Sequence, residues 1–324
     1  MAEERWKGAL IGLGQMAWKY DGGRASDPED PRTHASAYGA RGDGILAGGC
    51  SPDPREREMF ARALDLPVFE TPEDLLRVVR PRVVSICSPT SFHTSHVMCC
   101  LEAGVPLIWL EKPPAASLAE LDALRREARG RARVLVHYHR RYAPFFRLLR
   151  REIRRGSLGP FRGGEVVYSR GLASNGIHFV DLVLFLWDVA GVPEISFRHV
   201  SAFGEDYPTF ALVVGGGEIL FRGVDVPGHL FEGAFAFDDA RVRFADGGER
   251  GGVEMRRENP RYPGFFHYHP EASPLDGAGL RGCLAAALED LFAAFREGRD
   301  PESNLDTSWG AEAVVEALRG GKTR

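Results

Sequence analysis

The apolar run Ala9-Leu10-Ile11 leads into Gly12-Leu13-Gly14-Gln15-Met16-Ala17, a strand passing into a Gly-x-Gly-x-x-Ala turn. The first glycine permits a tight turn, the second lets the backbone approach a phosphate, and the small sixth residue lets a helix close on the strand. With 38 glycines in the chain the spacing alone says little; its weight comes from standing after the first strand of an alternating series. Apolar strands are predicted at 8–13, 45–50, 83–87, 105–110 and 134–138, and helical patterns at 55–64, 72–79, 95–103 and 117–129. Buried strands alternating with helices require a parallel, doubly wound sheet. In such a sheet the first turn, here Gly12, Leu13, Gly14, Gln15, Met16 and Ala17, holds a dinucleotide pyrophosphate against the amides that open the next helix.

The second strand ends in Gly48-Gly49-Cys50-Ser51-Pro52-Asp53. A site for NAD presents Asp or Glu here to bind the ribose 2′-hydroxyl. Ser51 stands in that place, and Arg55 and Arg57 follow closely, which favours NADP over NAD. Asp53, two residues on, is the counter-candidate that would restore NAD.

Near Tyr142 the texture changes. A helix at 144–155 ends at Gly156, a strand follows at 164–169, and an apolar helix at 177–189. Residues 195–248 alternate as strands with turns at Gly215-Gly216-Gly217 and Asp238-Asp239, and helices at 279–297 and 307–318 close the chain. The expected organisation is α/β: a dinucleotide-binding domain over 1–138, then a substrate-binding and oligomerisation domain over 139–324 with a large, mostly antiparallel open sheet. Apolar residues at 210–214 and 218–221 are expected to supply the surface of a homodimer or homotetramer. The polar segment 21–32 reads as an ordered lid or a mobile loop.

The formal charge is −4 with scattered arginines, which argues against nucleic acid and against a polybasic membrane surface. The most apolar stretch, 179–192, carries Asp181 and Asp188 and is too short to span a bilayer. The five cysteines are odd in number and none has zinc-ligand spacing. Together with the lack of a secretory leader, they place the protein in a reducing, cytoplasmic compartment.

Glu111-Lys112-Pro113, at the end of the fourth predicted strand, joins the first-strand glycines in a longer series. Ser88-Pro89-Thr90 with His93, Arg140-Arg141-Tyr142, and Asn175-Gly176-Ile177-His178-Phe179-Val180-Asp181-Leu182 complete it. In this order the chain resembles the Gfo/Idh/MocA family of oxidoreductases over nearly its whole length. The resemblance implies a Rossmann domain, NADP or NAD, and hydride exchange at a secondary hydroxyl or ketone of a sugar, sugar nucleotide or cyclitol. It implies that Lys112 is the acid/base at the reacting carbon. Ser88, Pro89, Thr90, His93 and Glu111 would then surround the cofactor, beside Ser51 and Arg55.

Chemistry agrees on Lys112. Oxidising an alcohol needs a base on the hydroxyl proton and the reverse needs an acid; an amine serves both, whereas a guanidinium cannot lose its proton. Lys and Arg together number 41, yet only Lys7, Lys19, Lys112 and Lys322 are Lys. His178 and Asp181, three apart, share a helix face and join Lys112 as catalytic candidates, His178 as a substrate-hydroxyl ligand or proton-relay partner. Asn175 is the expected N-cap of that helix and faces substrate. Arg141 and Tyr142, at the domain junction, hold either substrate or only the hinge.

One departure from the family pattern is Ser174, where many members carry Asp, so the ionisation of Lys112 must be managed otherwise. His34, after the 21–32 segment, is a further candidate to be carried over the site. His267 and His269 look metal-like but lack a third ligand, and no metal is expected. Two other readings stay open: an enzyme of this fold that uses tightly held NAD transiently with no net redox, as some glycosidases do, and a dinucleotide-binding regulator without catalysis. Lys112 and His178 together argue against the regulator.

Overall fold

The computed structural model describes residues 6–23, 27–41, 45–201, 204–270 and 279–320. Two compact units emerge, residues 1–139 with 282–309, and residues 140–281 with 310–324. The expected boundary at 138/139 lies beside the first of these divisions, but 282–309, read as part of the second domain, packs in the first unit.

The first unit is built on β1 (Gly8–Ile11), β2 (Leu46–Cys50), β3 (Val68–Phe69), β4 (Val83–Ile86), β5 (Leu107–Leu110) and β6 (Arg133–Val136). Their order is β3-β2-β1-β4-β5-β6, and every pairing is parallel. All residues of β1, β4 and β5 are buried, as strands covered on both faces must be. Helices α1 (His34–Ala40), α2 (Pro54–Leu64), α3 (Pro72–Val79), α4 (His93–Glu102) and α5 (Leu118–Ala128) alternate with them. Asp53, Thr71 and Ser117 cap α2, α3 and α5 with side-chain oxygens that accept first-turn N–H groups.

The glycine turn departs from expectation. It feeds a single π-helical turn, Gln15–Lys19, and regular helix resumes only at α1. Asp21 organises the detour: its carboxylate accepts from Gly23 N–H (3.0 Å), Arg32 N–H (3.1 Å), Thr33 Oγ1 (2.7 Å) and Ser36 Oγ (2.5 Å). The two ends of the 21–32 segment are thereby tied to one side chain; residues 24–26 lie outside the described residues.

The second unit contains α6 (Pro144–Arg155), β7 (Phe161–Tyr168) and α7 (Ile177–Leu186). Then follow β8 (Glu194–Ser201), β9 (Gly204–Val214), β10 (Gly217–Gly223), β11 (Phe231–Phe237), β12 (Ala240–Ala245), β13 (Arg250–Glu258) and β14 (Phe266–Pro270). The sheet runs β14-β13-β12-β11-β7-β10-β9-β8 and is antiparallel except at β7–β10. The predicted antiparallel sheet is thus present and extends past 248 through β13 and β14. Helices α8 (Cys283–Glu297) and α9 (Leu305–Gly320) complete the chain.

Phe179 of α7 stacks on Phe231 at 3.5 Å, and Phe146 of α6 meets Phe244 at 5.4 Å. These contacts show which sheet face is core and correct one expectation. Phe210, Leu212, Ile219 and Phe221, offered as a subunit surface, are buried inside the unit. Strand period two turns Glu218, Leu220 and Arg222 outward instead. Among the described residues no helix is long and apolar enough to cross a membrane.

Candidate functional site

In the first unit, the residues singled out from the sequence gather at strand ends. Gly12 follows β1, Ser51 follows β2, Ser88 lies just past β4, and Glu111 and Lys112 follow β5. Backbone bonds carry the ladder onward: Gly12 N–H to Cys50 O (2.9 Å), Cys87 N–H to Ile11 O (2.8 Å), Glu111 N–H to Ile86 O (2.9 Å) and His137 N–H to Leu110 O (2.8 Å). The carboxyl edge of an open parallel sheet is where such folds bind ligands.

Gly12 has φ +87°, and a Cβ there would stand 2.6 Å from Ser88 N. At Gly14 a Cβ would meet nothing within 4 Å, so the chain's own packing does not require glycine there. The two positions therefore separate folding from binding. Gly12→Ala should cost ~1–3 kcal/mol of stability through backbone strain and collision. Gly14→Ala should keep the melting temperature while weakening dinucleotide binding in a calorimetric titration. An equal loss of melting temperature for both variants would contradict the assignment.

Ser51 is buried, and its hydroxyl donates to Glu56 Oε2 at 2.8 Å. Lys19 Nζ donates to Glu56 Oε1 at 2.7 Å. A carboxylate thus stands at the end of the second strand after all, brought there by α2. Asp53, the counter-candidate, is spent on capping, its Oδ1 accepting Arg55 N–H at 2.8 Å. The Arg55 side chain is exposed, and Arg57 Nη1 donates to the carbonyls of Ser51 (2.7 Å) and Pro52 (2.9 Å).

Pro89 and Thr90 open a short 3-10 turn after Ser88, whose hydroxyl bonds His96 Nδ1 at 2.9 Å. His93 is buried with Nδ1 2.8 Å from Pro113 O and Nε2 2.8 Å from Ser88 O. It braces the Ser88 turn against the Lys112–Pro113 loop, whose joining peptide is cis. Burial lowers the His93 pKa.

Glu111 anchors a cluster that the sequence did not disclose. Its Oε1 lies 2.9 Å from His34 Nε2 and 2.6 Å from His137 Nδ1, and its Oε2 accepts Lys112 N–H at 3.3 Å. Behind His34, Nδ1 is 2.9 Å from Ser85 Oγ, which is 2.8 Å from Tyr38 OH. The side chains of His34 and His137 are 0% and 1% exposed, that of Glu111 13%. Burial pushes the His34 pKa down to about 4 and that of Tyr38 up. Burial also works to raise Glu111, but His137 and His34 hold it well below the ordinary carboxylate range. The Glu111–His137 contact follows from register, because Leu110 pairs with Val136 and the next residues are neighbours. His34 arrives from α1, which no local signal places.

In the second unit, Asn175 does not cap α7. It sits in the π-helical turn Leu172–Gly176, and Gly176 is the N-cap with no side-chain bond. Asn175 Nδ2 instead donates to Leu230 O at 2.8 Å, and Oδ1 lies 3.3 Å from His229 Nε2. The glycine between Asn175 and Ile177 is already helical, which moves the helix start past Asn175. His229, in the loop before β11, escaped the sequence reading.

His178 is buried in the first turn of α7, with Asp181 one turn on. Both Asp181 oxygens face Arg141: Nε at 2.9 and 3.1 Å, Nη2 at 2.7 Å. Burial raises the Asp181 pKa and the Arg141 guanidinium opposes it. Two residues assigned separately, one to catalysis and one to substrate, therefore hold each other. Tyr142 is buried, and Arg140 lays its guanidinium 3.6 Å over Phe231 while donating to Gly247 O at 3.0 Å. On β14 the rings of His267 and His269 stand 4.0 Å apart.

Comparison with known proteins agrees with this fold. Residues 7–139 match the family described as oxidoreductase family, NAD-binding Rossmann fold. The D-glucoside 3-dehydrogenase of Escherichia coli K12 is 29% identical over 216 residues, 60% of this chain and 57% of that protein. The scyllo-inositol 2-dehydrogenase (NADP(+)) of Bacillus subtilis is 27% identical over 276 residues, 76% of this chain and 64% of that protein. Each alignment thus spans less than two thirds of the relative. The solved UDP-N-acetylglucosamine 3-dehydrogenase of Acidithiobacillus ferrooxidans shares the fold with a TM-score of 0.76 at 20% identity, over 97% of this chain and 96% of that one.

Proposed function

We propose that the chain is an NAD(P)-dependent dehydrogenase or ketoreductase of the Gfo/Idh/MocA kind, a reading supported by the match of residues 7–139 to the oxidoreductase family with an NAD-binding Rossmann fold. Its substrate is a carbohydrate-like molecule (a sugar, sugar nucleotide or cyclitol) reacting at one secondary carbinol carbon. The observation that carries this reading is the position of Lys112, directly after β5, on the same sheet edge as the Gly12 turn. Relatives named as dehydrogenases of a glucoside and of an inositol support the substrate class.

The nicotinamide, when bound, supplies the hydride acceptor or donor. The chain's residues do the rest. The Gly12–Ala17 turn would hold the pyrophosphate by its backbone, and the Ser88-Pro89-Thr90 turn would serve the nicotinamide end. Lys112 takes the hydroxyl proton as the carbon is oxidised and returns it in the reverse direction. His178 holds the substrate hydroxyl from α7. Asp181 acts through Arg141, fixing the helix that carries His178. Assembly as a homodimer or homotetramer, through the outward sheet face that includes Leu220, belongs to the same proposal.

For the cofactor, Glu56 outweighs Ser51. A carboxylate bonded to Ser51 offers an acceptor to a ribose 2′-hydroxyl and repels a 2′-phosphate, so NAD(H) is the preferred form. Glu56→Gln should raise the NADP(H)-to-NAD(H) affinity ratio by roughly tenfold, as removal of a like charge does. A wild type that binds NADP(H) more tightly would reverse the assignment. The function itself is tested on a substrate panel containing nucleotide-linked and 3-keto sugars, followed by the absorbance of the reduced cofactor. A panel with no turnover in either direction would count against a dehydrogenase.

A further inference from the structure

The turn that follows Ala17 is pinned to α2 at two points. Trp18 Nε1 donates to Leu13 O at 3.0 Å, and the buried indole meets Phe60 edge-on at 5.7 Å. One residue on, Lys19 Nζ donates to Glu56 Oε1 at 2.7 Å. Glu56 and Phe60 stand four apart on α2 and so share a face. The glycine turn is itself tied to the second strand, because Gly12 N–H donates to Cys50 O at 2.9 Å. The phosphate turn, the end of β2 and the Lys19 ammonium are thereby gathered at one corner of the first unit.

At that corner the polar side chains are unequally available. Ser51 is buried and its hydroxyl is spent on Glu56 Oε2. Asp53 caps α2, and Arg57 is held by the carbonyls of Ser51 and Pro52, with Nη2 3.9 Å from Glu70. Lys19 and Glu56 have side chains 22% and 26% exposed, so this ion pair is presented at the strand end where a doubly wound fold receives the adenine ribose. A half-exposed pair of this kind is weak, and a Lys ammonium carries three donors on a flexible stem. Exchanging a carboxylate for a phosphate therefore costs it little.

We propose that Lys19 is a second dinucleotide-selecting residue, which leaves Glu56 to hold the 2′-phosphate of NADP(H). The preference for NAD(H) set by Glu56 is then graded, and NADP(H) remains usable. This rests on the dinucleotide reading of the sheet edge and adds to it a residue from outside the second strand. With NAD(H), Lys19 stays on Glu56 Oε1 and steadies the carboxylate that accepts the ribose 2′-hydroxyl. With NADP(H), the phosphate carries more charge than a carboxylate and draws the ammonium to itself, which offsets the repulsion from Glu56.

Calorimetric titration of the full chain with NADPH and with NADH reads this without turnover. Lys19→Gln keeps a donor for Glu56 and removes only the charge. It should weaken NADPH ~10-fold or more and leave NADH within about threefold of wild type. Lys19→Arg keeps a phosphate-binding cation and should hold both affinities near wild type. The gain in NADPH binding from Glu56→Gln should largely vanish when Lys19→Gln is added. Unchanged NADPH affinity in Lys19→Gln would overturn the proposal. Equal losses of both dinucleotides would overturn it too, leaving Lys19 a tether for the turn. So would a double variant that keeps the full gain, since Lys19 would then be no more than the counter-ion of Glu56. Melting temperatures check that each variant is folded, and Lys19→Met is the second neutral variant should Lys19→Gln not fold. A wild type that binds neither dinucleotide defeats the dinucleotide reading, and this inference with it. With a wild type that binds both, the Lys19 variants decide this inference alone.

Discussion

Lys112→Arg should lose turnover almost as completely as Lys112→Ala, a fall in kcat of ~10²–10⁴-fold, the usual contribution of general acid–base catalysis. The guanidinium keeps the charge of Lys112 but not its capacity to give up a proton, so the comparison isolates proton transfer from electrostatics. Dinucleotide affinity should barely move in either variant, because the pyrophosphate is assigned to the Gly12–Ala17 turn. Steady-state kinetics with the substrate found on the panel, alongside a cofactor titration, check both halves. Near-wild-type turnover of Lys112→Arg would show that position 112 supplies positive charge only, and His178 would then have to carry the proton.

Asp181→Asn should be among the most destabilising single changes in the second unit. Arg141 and Asp181 have side chains 5% and 1% exposed, and removing one member of a buried pair strands the other charge at a cost of ~3–5 kcal/mol. For a unit of this size that corresponds to a fall in melting temperature on the order of 10 °C. Replacing both at once, Arg141→Met with Asp181→Leu, should recover much of the loss, since an apolar pair of similar volume is often neutral. Activity should not return with it, because the pair fixes α7 and with it His178. Thermal and chemical denaturation of the single and double variants test this. An unchanged melting temperature for Asp181→Asn would return Asp181 to the list of groups that act directly on substrate.

What could be read along the chain was what repeats or turns locally. The alternation of apolar strands with helices implies the parallel sheet, and the structure has it in the order β3-β2-β1-β4-β5-β6. The Gly12 turn was legible because its need for glycine arises first from its own φ, whereas the Ser88 backbone that a Cβ would strike lies far along the chain. Glu111-Lys112-Pro113 was legible by its place at a strand end, and the antiparallel sheet by its period and turns. The two-residue strand β3 was not, being too short to show a period.

Partner choice was beyond the sequence. Glu56 is only five residues from Ser51, but it returns to that hydroxyl because Asp53 and Pro54 start a helix whose first turn swings back over the strand end. His34 meets Glu111 across 77 positions and Arg141 meets Asp181 across 40. In each case a side chain that reads as a functional candidate, or as nothing, is claimed by another that packing brings within 3 Å. Backbone form is set by short-range sterics and hydrophobic period, which the order of residues carries directly. The charge state of Glu111 and Asp181 and the orientation of His137 depend on which distant groups share their dry surroundings, and only the folded chain determines that.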